Sequence, residues 1–136
     1  GLKRLNLHDR IRHTLTAEVS LPAVGQGALG LECRSQDQQV LDLIMPLMHQ
    51  DSNACVRAER AFNAYLEGGC QVPIAGFATL ENDQLQLEGR VGSVDGQVLL
   101  QALVSGHPND AEQLGVELAK KLLDQGAGEL LKALYQ

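Results

Sequence analysis

Apolar residues recur every three or four positions in two long stretches of the chain. The first stretch, Asp51 to Leu66, has the spacing of one buried helix face and predicts a helix. In the second, Asn109 offers an N-cap with Glu112 three residues later, and the predicted helix runs to about Gly126. Three shorter segments show the same spacing and are predicted to be helical: residues 2–15, Gln38 to His49, and Glu129 to Tyr135.

Between these helices, alternation of apolar with polar or small residues predicts three strands. They span Ile74 to Leu80, Leu85 to Val94, and Val98 to Val104. The first two are joined at Asn82-Asp83, and the last two at Asp95-Gly96, a dipeptide that favours type I′ hairpin turns. We therefore expect an α+β fold, with a three-stranded antiparallel sheet covered on one face by helices. A separate strand is predicted from Ala28 to Arg34.

Composition limits the classes of function. With 136 residues, 44% of them hydrophobic, the chain can form one modest domain and some accessory segments. A net charge of −6 and an aromatic content of 3% argue against nucleic-acid binding, which needs a basic face and stacking rings. No apolar run approaches the roughly 20 residues of a membrane span, and no basic-then-apolar leader opens the sequence. We expect a protein that binds neither nucleic acid nor membrane.

The cysteines and histidines indicate neither a disulfide framework nor a metal site. Cys33, Cys55 and Cys70 cannot all pair, and none forms a CxxC motif. Free thiols favour a reducing compartment, so a cytoplasmic location is predicted. Cys33 and Cys55 have no special flanking residues and are expected to be small core residues. The four histidines show no HExxH motif or clustered spacing.

Cys70 stands in a segment that is suited to chemistry. Gly68 and Gly69 precede it and lack Cβ atoms, so the backbone can turn sharply and a bulky group can approach the sulfur. Pro73 then fixes the direction of the chain toward Ile74. Cys70 is therefore expected on a loop between the long helix and the first strand.

Two segments carry a family resemblance. The first consists of Glu59-Arg60, Phe62, Leu66, Gly68-Gly69-Cys70 and Val72-Pro73-Ile74-Ala75. These residues resemble the cofactor-attachment signature of the porphobilinogen deaminase family, also called hydroxymethylbilane synthases. The second segment, residues 21–34, resembles the interdomain crossing of the same family. The resemblance covers essentially the whole chain, but members of the family are longer, so the chain resembles their C-terminal portion.

The resemblance implies three structural parts. Residues 1–21 would be the end of a second domain. Residues 22–48 would be the interdomain crossing with one strand and one helix of a first domain, and residues 49–136 would be the C-terminal domain to which the cofactor is attached. The first two parts would be fragments of α/β domains, and we expect residues before about 49 to be ordered only against another chain.

The resemblance also implies a transferase. It would join four porphobilinogen molecules head to tail, with loss of ammonia, to give hydroxymethylbilane. Cys70 would carry a dipyrromethane primer through a thioether, with Gly68 and Gly69 leaving room for it. Arg4 resembles the family arginine that binds substrate carboxylates from a helix of the second domain, and Gln26 is expected to offer its amide to a pyrrole carboxylate.

The implied partners are porphobilinogen, the growing oligopyrrole and the N-terminal half of the same protein. That half would supply most of the arginines that bind the polycarboxylate chain, together with the catalytic aspartate. No catalytic residue is therefore expected in these 136 residues, which alone should be inactive. The complete enzyme is expected to be monomeric.

Other interpretations remain open at this point. Gly25-Gln26-Gly27-Ala28-Leu29-Gly30 spells GxGxxG, but a dinucleotide site needs a strand before this motif and a helix after it, whereas a strand pattern follows here. The segment is predicted to be either a hinge or a tight interdomain turn without catalytic motion. The chain could also be an interaction module in which Cys70 is structural or redox-sensitive. A cysteine hydrolase is disfavoured, because no histidine lies in a motif that predicts its approach to Cys70.

Overall fold

The computed structural model describes residues 1–67 and 72–133. Its α-helices are α1 (Gln38–Ile44), α2 (Gln50–Tyr65), α3 (Ala111–Asp124) and α4 (Ala127–Lys132). Its strands are β1 (Ile74–Glu81), β2 (Gln84–Gly92) and β3 (Leu99–Gly106). Short 3-10 helices occur at His8–Arg10, Met45–Leu47 and Pro108–Asp110.

The three strands form one antiparallel sheet in the order β1-β2-β3. Ala78 pairs with Leu87, and Leu87 pairs with Val104, so these three side chains share one face of the sheet. All three are buried beneath α2 and α3. The α+β class and the three-stranded antiparallel sheet are therefore confirmed.

Phe62 of α2 occupies the centre of the core and is fully buried. Its ring lies over the cross-strand pair Gly76 and Gly89. A Cβ added to Gly76 would lie 2.8 Å from Cδ1 of Phe62, and one added to Gly89 would lie 2.8 Å from Cζ. The two glycines therefore provide the space for the ring, which brings α2 close to the sheet. The rest of the core comprises Ala54, Ala58, Leu66, Ala78, Leu85, Leu87, Val91, Val104, Ala111, Leu114, Leu118, Ala119, Leu122 and Ala127.

The first hairpin turn lies at Asn82-Asp83, as the sequence predicts, whereas the second differs from the prediction. Asn82 and Asp83 have φ of 50° and 57°, so the two-residue turn with both centres left-handed, as type I′ requires, joins β1 to β2. Placing it at Asp95-Gly96 was wrong. Residues 93–98 instead form a longer loop in which the carboxylate of Asp95 accepts hydrogen bonds from the hydroxyl of Ser93 and the N–H of Gln97. These side-chain bonds stabilise the wider loop.

The segment before α2 forms less regular structure than its pattern predicts. Residues 28–34 are not a strand, and within residues 2–15 only His8–Arg10 is helical. The helix predicted from Gln38 to His49 is divided into α1 and the 3-10 turn at Pro46. None of residues 1–48 is buried. An isolated strand or amphipathic helix is not stable without a partner that covers its apolar side, which explains why these elements are shorter or absent.

Two further expectations need correction. The N-cap of α3 is Asp110 rather than Asn109, and Asn109 instead donates its backbone N–H to Nδ1 of His107. Cys33 is partly exposed and lies outside the core, whereas Cys55 is partly buried and packs against it. The last predicted helix is present as α4, although residues 134–136 lie outside the described part of the chain. Among the described residues, no helix is both long and apolar enough to cross a membrane.

Candidate functional site

The candidate attachment loop joins the C-terminal end of α2 to the N-terminal end of β1. Glu67 adopts a left-handed conformation, with φ of 54°, and its N–H donates to the carbonyl of Ala64, which ends the helix. On the other side, Gly92 of β2 donates its N–H to the carbonyl of Pro73. The predicted site residues Gly68, Gly69 and Cys70 lie outside the described residues. The structure therefore defines both ends of the loop.

Glu59 is the one acidic side chain in the described core, with only 5% of its surface exposed. Its Oε1 accepts a hydrogen bond from the backbone N–H of Ala78 at 2.8 Å. Its Oε2 accepts one from the backbone N–H of Gly25 at 2.7 Å. The carboxylate thus joins α2 to β1 and to the glycine-rich segment that precedes α1.

The bond to Ala78 completes the free edge of the sheet. Gly92 donates to Pro73 across the β1–β2 pair, and antiparallel pairs alternate between bonded and non-bonded positions. Ala78 therefore directs its N–H away from β2, toward the side where β1 has no neighbouring strand among the described residues. A carboxylate oxygen from α2 takes the place that a fourth strand would have filled, which protects this part of the edge from pairing with another chain.

The segment around Gly25 is a tight turn. Gly25 and Gly27 have φ of +69° and +87°, values that side chains with a Cβ rarely adopt. Between them, Gln26 accepts a hydrogen bond at its Oε1 from the N–H of Ala23, at 2.9 Å. Among the described residues, no helix follows before Gln38 and no strand precedes the turn, so the GxGxxG spacing lacks the strand–turn–helix context of a dinucleotide site. The bond uses the amide oxygen of Gln26, and the two N–H donors of that amide take no part in it.

Arg90 of β2 holds the preceding part of the same segment. Its guanidinium donates to the carbonyls of Ala17 and Glu18 at 3.2 and 3.3 Å and pairs with Glu88 at 2.7 Å. Arg90 and Glu88 alternate with buried residues along β2, so they lie on the face of the sheet opposite the helices. The chain therefore runs from this face at residues 17–18 to the Glu59 carboxylate at Gly25, and in doing so it passes around the β1 edge.

An open cleft of about 510 Å³ lies between the glycine turn, the first half of α2 and the second half of β1. Gln26 and Cys55 line it together with three acidic residues, Asp51, Glu59 and Glu81. Among its described lining residues there is no lysine, arginine or histidine. Burial, and to a lesser extent the charges of Glu59 and Asp51, raises the pKa of the Cys55 thiol. The cleft therefore disfavours both a thiolate at Cys55 and the entry of a carboxylate.

The structure does not bring the other predicted site residue to this cleft. Arg4 is exposed, and it lies in a run of turns at residues 2–6 rather than on a helix. Two of the histidines act as local caps, since Nδ1 of His49 accepts from the N–H of Ser52 and His107 holds Asn109. Within the part of the chain that the structure describes, no group of three His, Cys, Asp or Glu side chains is arranged to hold a metal ion.

Sequence reasoning noticed Glu59 as part of a motif but assigned it no role. A usable signal was present, because Glu59 shares a helix face with Phe62 and Leu66, three and seven residues later. A charged residue on an apolar helix face needs a buried partner. Arg90 carried no comparable signal, because its partners are backbone carbonyls more than seventy residues away.

Comparison with protein-family models gives two matches that agree with this architecture. The model described as porphobilinogen deaminase, C-terminal domain, matches residues 53–124, more than half of the chain, and includes the sheet, α3 and most of α2. The model described as porphobilinogen deaminase, dipyromethane cofactor binding domain, matches residues 1–42, which include the glycine turn. The chain therefore belongs to the porphobilinogen deaminase family of transferases, which form hydroxymethylbilane with a dipyrromethane cofactor.

Proposed function

We propose that Cys70 is the residue to which the dipyrromethane cofactor is attached, through a thioether. The observation that carries this proposal is the position of Cys70 in an eight-residue connection, residues 66–73, between α2 and β1. Both ends are fixed by backbone bonds, at Glu67 and at Pro73, and Gly68 and Gly69 supply conformational freedom between them. A short loop with anchored ends can present a sulfur atom with little loss of entropy.

The other two cysteines are less suited to this role. A thiol reacts as its thiolate, and the raised pKa of Cys55 keeps that thiol protonated at neutral pH. Cys33 lies in an irregular segment without buried neighbours that would fix its position. The free thiols of both residues support a reducing, cytoplasmic location for the enzyme.

The residues near the loop fit a bulky, covalently attached group. The two glycines add no side chains, and Tyr65 at the end of α2 is partly exposed rather than filling the core. When bound, the dipyrromethane supplies the free pyrrole carbon to which porphobilinogen units are joined. The chain would hold this group through the sulfur of Cys70, on a connection whose two ends are set by α2 and β1.

We further propose that Arg4 and Gln26 bind carboxylates of the substrate or of the growing oligopyrrole. Arg4 is exposed and offers planar paired donors, and the N–H groups of Gln26 are not used in its bond to Ala23. The cleft beside Gln26 is acidic, so Gln26 can bind a carboxylate only where positive charges from elsewhere offset that repulsion. The positive charge that a polycarboxylate chain needs must therefore come from other cationic side chains of the enzyme.

The division into residues 1–21, 22–48 and 49–136 is part of the same proposal. In its favour, no residue of 1–48 is buried, whereas the core lies within residues 54–127. Exposed apolar side chains within residues 1–48 include Leu5, Leu29, Leu43 and Leu47. We propose that they pack against further parts of the enzyme and that these 136 residues alone are inactive.

An aromatic aldehyde in acid gives a coloured product with a pyrrole that has a free α-carbon. This colour reaction tests the attachment residue in the full-length enzyme. Cys70→Ser should abolish the reaction of the purified protein, while Cys33→Ser and Cys55→Ser should retain it. Circular dichroism establishes that each variant is folded. Retention of colour in folded Cys70→Ser would refute attachment at this residue, and a colourless wild-type enzyme would favour the interaction-module interpretation.

A further inference from the structure

We propose that Glu59 is a positioning residue for the reaction: its carboxylate locks the glycine turn (residues 23–27) to the α2–β1 unit that presents Cys70. This inference rests on the proposed function, because it concerns how Gln26 is held relative to the group on Cys70. It also decides between the two interpretations of the turn. The turn is held against the C-terminal unit and is not the place where the chain flexes.

The geometry indicates that Glu59 holds the turn firmly in place. Glu59 is 5% exposed, and both of its oxygens accept backbone N–H groups, at 2.7 Å from Gly25 and 2.8 Å from Ala78. Bonds from N–H groups to a carboxylate at such distances are stronger than bonds between neutral groups. Val24 lies near β1 on the same side, since its Cγ2 would be 3.7 Å from a Cβ placed on Gly76.

A carboxylate suits this place better than any other side chain of similar size. Both groups that face it are donors, so it needs two acceptors and no donor. An amide of the same shape would place its NH₂ group against one of the two backbone N–H groups. An aliphatic side chain would satisfy the apolar helix face but would leave the N–H groups of Gly25 and Ala78 without their partner.

The bonds connect the two candidate regions. Glu59 lies in α2, which ends at Tyr65 where the Cys70 loop begins. Ala78 lies in β1, which begins at Ile74 where the same loop ends. Gln26 is the residue after Gly25 and lines the cleft beside Glu59. One carboxylate therefore fixes the separation between Gln26 and both ends of the loop, and the turn can move relative to these ends only when a bond to Glu59 breaks.

The test uses the full-length enzyme with Glu59→Gln and, as matched control, Glu81→Gln. Glu81 lines the same cleft but is exposed, so its variant removes an equal charge without touching the turn. Denatured mass first establishes whether each variant carries the two-pyrrole adduct. We expect both to carry it, which keeps failure of the attachment proposal separate from failure of this one.

In Glu59→Gln that carries the two-pyrrole adduct, the backbone amide of Gly25 should exchange its hydrogen about tenfold faster or more than in the wild type, because its bond to a charged acceptor is lost. Chain growth at saturating porphobilinogen should slow, so that masses of the partly extended enzyme accumulate, while Glu81→Gln resembles the wild type. A purely structural role would lower the melting temperature without this accumulation. Wild-type growth in loaded Glu59→Gln would overturn the proposal.

A measurement on the unaltered enzyme keeps the proposal testable if Glu59→Gln does not fold. The amide of Gly25 should exchange far more slowly than that of Gly27, which is in the same turn but makes no bond to Glu59. Equal exchange at the two glycines would show that the turn is not locked to α2.

Discussion

Gly115 of α3 lies directly against the backbone carbonyl of Ala58 in α2. A Cβ at Gly115 would meet that oxygen and would also lie 2.7 Å from both the Cβ of Ala61 and the N atom of Phe62. The absence of a side chain therefore sets the distance between the two helices that cover the sheet. Since α2 leads into the Cys70 loop, this contact also determines where the loop begins.

Gly115→Ala should destabilise the protein by roughly 1–3 kcal/mol, because backbone and core atoms must move to admit the methyl group. This cost opposes the usual gain of replacing glycine in a helix. Chemical denaturation measures the change in the free energy of unfolding.

Gly128→Ala in α4 is the matched control, since its Cβ would lie at an ordinary 3.6 Å from Cδ2 of Leu123. We expect that substitution to be neutral or slightly stabilising. Equal effects of the two substitutions would show that the α2–α3 contact is not tight.

Cys55 should react slowly with iodoacetamide at neutral pH, and its rate should rise as the pH approaches the raised pKa of the thiol. Asp51→Asn removes one of the charges that raise this pKa and should accelerate the reaction without opening the site. Mass spectrometry of the peptide that contains Cys55 follows the rate. No acceleration in Asp51→Asn would contradict a contribution of the Asp51 charge to the raised pKa.

The carboxyl of Asp95 should titrate below the usual range of an aspartate. Its charged form accepts hydrogen bonds from the Ser93 hydroxyl, 2.5 Å away, and from the backbone N–H of Gln97. Both bonds lower the pKa of Asp95. Because the folded pKa is depressed, the contribution of this group to stability is present above the unfolded pKa and is lost as the pH falls through the folded one. Ser93→Ala should move the carboxyl ¹³C titration of Asp95 upward. A midpoint that Ser93→Ala leaves unchanged would contradict the assignment.

Much of the fold follows from local pattern. The predicted helix Asp51 to Leu66 differs from α2 by one residue at each end, and the three strands were located within two residues at each end. These elements bury a regular face, so the periodicity of their apolar residues reports directly on their environment. The supposed strand at residues 28–34 shows the opposite case. A strand is stabilised by the strands that pair with it, and its own sequence does not reveal whether a partner lies beside it.

One part of the candidate site could likewise be predicted from local sequence, and another part could not. Cys70 could be singled out because its neighbours Gly68, Gly69 and Pro73 form a local motif that sequence displays. The role of Glu59 could not, because it depends on the approach of Gly25 and Ala78, which are remote in sequence from each other. Long-range hydrogen bonds to backbone groups leave no trace in the identity of the donor residues, since every residue except proline has an N–H.

Peptide mapping of the full-length enzyme shows directly whether Cys70 carries the dipyrromethane. Trypsin cleaves after Arg12, Arg34, Arg57, Arg60 and Arg90, which places the three cysteines on separate peptides: 13–34 for Cys33, 35–57 for Cys55 and 61–90 for Cys70. We predict the mass of two pyrrole units on peptide 61–90 alone, with fragmentation placing it on the sulfur of Cys70. An unmodified peptide 61–90, or an adduct on either of the other two, would contradict it.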